Sequence, residues 1–135
     1  MALLGRLGNY KNTGLLILRV GLGAMMIFHG LPKLTGGPGY WEAVGSAAKN
    51  IGITFYPLMW GLLAAITETF GGFLLIIGLA FRPACLFLTS IMVVAALNHL
   101  NKGEGWGAAS HAIELGFVFV GLAFIGAGKY SIDKK

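Results

Sequence analysis

Arg19, Glu68, His111 and Glu114 all lie inside stretches that are otherwise apolar. An ionisable group in apolar surroundings is costly, so each needs a partner or a purpose. Take His29 as the end of the first apolar stretch and Pro57 as the start of the second. Arg19 then lies ten residues below His29, about 15 Å at the helical rise. Glu68 lies eleven residues below Pro57, about 16 Å. The equal depths predict a buried Arg19–Glu68 ion pair near the midplane. Above it, His29, Lys33, His99, His111 and Glu114 gather toward one end of the apolar stretches.

Several chemistries suit that cluster. Histidines with a carboxylate can bind a metal. The His111–Glu114 spacing puts both on one helix face, but no second such pair exists, so no metal site is expected. A histidine and a carboxylate can instead hydrogen-bond a quinone head group and move its protons, and histidine changes charge close to pH 7. The same groups could line a proton or solute path. The plain alternative is an internal polar network that fixes helix register.

These residues must be positioned by membrane helices. The chain has 135 residues, 56% of them hydrophobic and only 11% charged. Its mean hydropathy is +0.77. Soluble domains carry about 25% charged residues. The composition excludes disorder, a nucleic-acid module and most soluble enzymes. The net charge of +5 forms no basic patch, so no nucleic-acid partner is expected. Cys85 is the lone cysteine, which excludes an intrachain disulfide.

Four apolar segments stand out, at about 13–31, 56–81, 83–99 and 107–127. They predict an all-α integral membrane four-helix bundle, one domain over residues 1–135, in contact with the lipid bilayer. The second segment is expected to end at the Arg82-Pro83 break. Gly36-Gly37-Pro38-Gly39 breaks the first connection. Tyr40, Trp41, Val44, Ala48 and Ile51 then recur at helical spacing. This predicts a short amphipathic helix in the interface. Trp41 and Trp106 are expected to anchor there. Glu68 shares a face with Gly61, Ala64, Ala65, Gly71 and Gly72. Small faces let helices approach closely, so Gly71 and Gly72 are expected at a packing interface, within the chain or in a homo-oligomer.

Four spans put both termini on one side. The tails and the second-to-third turn hold six basic residues, and the other two loops hold three. The bias places both termini in the cytoplasm.

With these residues laid out, the chain resembles the DoxX family of small four-helix bacterial membrane proteins. Three stretches carry the likeness: ILRVGLGAMMIFHGLPKL (Ile17 to Leu34), ETFGGFLLIIGLAFRPACL (Glu68 to Leu86) and the ending GAGKYSID (Gly126 to Asp133). The resemblance implies the bacterial inner membrane. It also implies a subunit of a quinone-linked membrane oxidoreductase system, with a redox-complex partner. Arg19, His29, Lys33 and Glu68 are its motif positions. The implied fold is distantly similar to that of vitamin K epoxide reductases, but their paired cysteines are missing here. Two other functions compete: a small proton-coupled transporter built on Glu68, and a scaffold or assembly factor without chemistry.

Overall fold

The computed structural model describes residues 3–134. Five α-helices follow one another: α1 (Lys11–Thr35), α2 (Pro38–Gly45), α3 (Pro57–Ile77), α4 (Phe81–Asn101) and α5 (Gly105–Ile125). Short 3-10 segments precede α1 and follow α2, at Gly5–Tyr10 and Ser46–Ile51. Four helices, α1 with its preceding turn and α3, α4 and α5, are long and apolar enough to cross a membrane. A 21-residue helix spans about 31 Å, close to the ~30 Å of a hydrocarbon core. The protein is a multi-pass membrane protein.

The helix limits differ from the sequence expectation in two places. α1 runs through Pro32 to Thr35, one turn past the expected end. Pro32 removes one amide donor, but the last carbonyls find another. The Trp41 indole Nε1 donates to Lys33 O at 2.9 Å and Leu34 O at 3.3 Å. Trp41 is thus half-buried as a cap on α1, whereas Trp106 stands exposed at the start of α5. The second difference is the break between α3 and α4. It falls at Gly78–Ala80, not at Arg82-Pro83. Gly78 takes a left-handed φ of 69° and bonds back to Leu74 O, the usual glycine stop. Pro83 then sits in the first turn of α4, where a missing amide costs nothing.

Small residues set the packing. A Cβ on Gly23 of α1 would strike the Gly72 carbonyl of α3, and one on Gly72 would lie 2.6 Å from Gly23 O. The two backbones touch there. Gly71 faces Leu88 of α4 instead. α2 lies against α3 through Gly45 and Gly61, where a Cβ on either would meet backbone. The following 3-10 segment is tied to α4: Asn50 Nδ2 donates to Asn98 Oδ1 at 3.1 Å, and Asn101 Nδ2 to Asn50 Oδ1 at 2.6 Å. The first connection therefore folds over α3 and α4 as a cap.

The core runs from Met26 and Leu75 through Phe81, Cys85, Leu88 and Met92 to Phe119 and Leu122. Large apolar groups such as Phe28, Phe70, Phe87, Phe117 and Phe124 point outward, as lipid-facing side chains do. The spans form two tight pairs, α1 on α3 and α4 on α5, joined where α3 meets α4. α1 and α5 meet through side chains and not by close backbone approach: Met26 shares the buried core with Ala112, Phe119 and Leu122.

Candidate functional site

Arg19 lies near the end of the bundle that holds the chain termini. It is 1% exposed. Its Nε donates to Leu75 O at 3.1 Å and its Nη2 to Ile76 O at 3.0 Å. Nη1 reaches Ala127 O at 2.9 Å, and both Nη atoms reach Tyr130 O at 2.8 Å. A guanidinium has five N–H donors, and here five bonds use them. Two acceptors are free carbonyls of the last turn of α3, where a cation also suits the helix dipole. The other two belong to the tail after α5. The tail returns the support: Asp133 accepts from Ala80 N and Phe81 N, at 3.2 and 2.8 Å, at the start of α4.

The expected Arg19–Glu68 pair is therefore not formed, because the register differs from the one assumed. α1 continues beyond His29, and Gly30 packs on Glu68 and Thr69 while Gly23 packs on Gly72. Arg19 comes level with Leu75 and Ile76. Glu68 comes level with Gly30, eleven residues further along α1, about 16 Å away.

Glu68 pairs with Lys33 instead. Lys33 Nζ lies 2.9 Å from both carboxylate oxygens. Glu68 is 3% exposed, while the Lys33 side chain keeps 29% of its surface. A buried carboxylate alone would be strongly unfavourable. Lys33 supplies the charge, and its aliphatic stem extends through the apolar wall.

Beside this pair is a cavity of about 170 Å³ to which all four spans contribute. α1 gives Met26, His29 and Lys33; α3 gives Glu68; α4 gives Met92 and His99; α5 gives His111 and Leu115. His29 and His111 are both exposed. Their ring centroids are 5.8 Å apart, so the two rings bridge α1 and α5. His99 is shared with the adjacent loop, its Nδ1 lying 2.6 Å from Glu104 Oε2. Glu104 was not singled out from the sequence. Its one signal is its place five residues after His99 in the turn that leads to α5.

Glu114 does not line the cavity and is exposed on α5. Three residues turn a helix by about 300°. That leaves Glu114 about 60° around from His111, enough to carry it off the cavity wall. The sequence cluster is thus divided: His29, Lys33, His99 and His111 share a cavity with Glu68, and Glu114 stands outside it.

A second cavity, of about 240 Å³, lies on the other side of Lys33 and Glu68. Its walls come mainly from α2, the 3-10 segment, α3 and α4. Trp60 is among them, and its buried Nε1 has no hydrogen-bond partner among the described residues.

The fold and this arrangement define a class: a small multi-pass helical membrane protein with a polar cavity to which all four spans contribute. A DoxX family model matches residues 14–100. The match covers more than half of the chain, which belongs to the DoxX family. It includes the first two matching stretches and Arg19, His29, Lys33 and Glu68; the GAGKYSID ending lies beyond it. No curated protein and no solved structure matches the chain.

Proposed function

We propose that this protein is a membrane subunit of a quinone-linked oxidoreductase system and holds the quinone head group in the polar cavity. One observation carries the reading. Three histidines and the Lys33–Glu68 pair meet at a cavity among the four spans, and two of the histidines, His29 and His111, are exposed. A bilayer-dissolved molecule can approach exposed side chains of this kind from the side.

The donor set fits a quinone. The Lys33 ammonium and an imidazole N–H can donate to a ring carbonyl, while Glu68 and an imidazole nitrogen can accept from a quinol hydroxyl. Interconversion of quinone and quinol moves two electrons and two protons. Glu68 and the histidines would hold or pass the protons at Oε and ring nitrogen atoms. The electrons would come from a partner oxidoreductase, as the family resemblance implies.

A proton-coupled carrier has less support. Between the cavity and Arg19 the core is apolar, with Met26, Leu75 and Leu88, and Glu68 is already paired. The positive charge bias supports cytoplasmic termini, and the family supports a bacterial inner membrane.

The test is quinone titration into the protein held in lipid nanodiscs. Binding should saturate. Substituting both His29 and His111 with alanine should weaken it about tenfold or more, on the scale of two lost hydrogen bonds, while the melting curve stays in place. An unchanged affinity in that variant would overturn the direct role of the histidines.

A further inference from the structure

We infer that the second cavity is the binding site for the hydrocarbon chain of the same ligand, so that Lys33 and Glu68 sit where its head and tail join. The inference rests on the proposed head-group site and adds a chemical class: a quinone with an attached apolar chain.

Three observations lead there. First, the two cavities are neighbours. Lys33, Glu68 and Ala95 line both. Second, their chemistry is divided at that point. On one side stand the three histidines. On the other stand mostly apolar groups, among them Val44, Ile51, Ala64, Ile91 and Val94. Third, their sizes are complementary. Ligand sites usually begin at about 300 Å³. The volumes, about 170 Å³ and about 240 Å³, each fall short, but together they pass that mark.

Lys33 and Glu68, bonded side chain to side chain, stand where the two cavities meet. Lys33 has rotatable bonds along its stem and remains partly exposed. Turning its ammonium toward a head-group carbonyl would widen the passage between them. The stem would still cover the apolar side.

The competing arrangement leaves the chain in the bilayer beside α1 and α5. Ala64→Phe and Ile91→Phe separate the two, because each fills the second cavity from a different helix without touching the histidines. Two probes are titrated into nanodiscs carrying wild type or either variant: a benzoquinone without a chain and the same ring with a ten-carbon chain. The ratio of variant to wild-type affinity cancels partitioning into lipid. Both variants should bind the chain-bearing probe severalfold more weakly, because the new ring takes the space and the packing contacts of the chain, and bind the chainless probe unchanged. If either well-folded variant weakens both probes equally or neither, the chain does not occupy this cavity, and the head-group reading survives. If wild type binds neither probe, the head-group reading fails and this inference falls with it.

Discussion

Two cations on α1, the buried Arg19 and the half-buried Lys33, are held in opposite ways. Arg19 gives all its donors to backbone carbonyls and joins α1, the end of α3 and the tail after α5. Lys33 gives its ammonium to one side chain, keeps part of its surface, and has a cavity on each side. Both satisfy the rule that intramembrane charge needs a partner. Backbone partners cannot move without unfolding a helix end, so Arg19 is a fixed staple. A side-chain partner can turn away, so Lys33 and Glu68 can exchange each other for a ligand. The difference teaches that the type of partner, more than burial itself, separates a structural charge from one available for binding.

The largest expected effect tests the staple. Arg19→Met strands four buried or partly buried carbonyls, and should lower stability by about 3–5 kcal/mol. Arg19→Lys should recover little, because an ammonium cannot reproduce the planar fork. Denaturant unfolding in mild detergent reads both variants. A stable Arg19→Met protein would remove the contrast.

A middle-sized effect concerns the movable pair. Lys33→Met leaves the Glu68 carboxylate buried without its cation. Because Lys33 is partly exposed, the loss should be about 2 kcal/mol, below the cost for a fully buried pair. Lys33→Met with Glu68→Met should return to within about 1 kcal/mol of wild type, since a buried pair contributes little over well-packed apolar groups. The same unfolding experiment, run as a double-mutant cycle, checks the coupling. A double variant as unstable as Arg19→Met would make the pair another staple.

The smallest effect sharpens the boundary of the site. Glu114→Gln should change quinone affinity less than about twofold, whereas His111→Ala should weaken it severalfold, about one hydrogen bond's worth. Parallel titrations of the two variants decide it. An equal loss in both would bring Glu114 back to the cavity.

Much of the fold was legible along the chain. Apolar runs broken at Gly36–Gly39, at Arg82-Pro83 and between His99 and Gly107 mark four spans without any tertiary information, because a membrane span is a one-dimensional property of length and hydropathy; the exact stop at Gly78 was not legible. The small face of α3 was also legible. Gly72 packs on α1 and Gly71 toward α4, since close helix approach demands small residues. The motif positions Arg19, His29, Lys33 and Glu68 could be picked out, and so could the shared level of the three histidines.

What the chain alone could not supply is register and rotation. Whether Glu68 meets Arg19 or Lys33 depends on which residue of α1 lies opposite it, and the Gly23–Gly72 approach settles that. The choice turns on a slide of eleven residues along α1, about 16 Å, which hydropathy does not encode. The roles of Trp41 and Asp133 as caps for α1 and α4 arise only when distant segments meet. Glu114 was separated from His111 by about 60° of helix rotation, which matters only once α1 is in place. Residue types therefore determined that this protein spans a membrane with charges inside it. Tertiary packing alone decided which charge is locked to backbone and which stands between two cavities, because both depend on how far one helix slides and turns against the next.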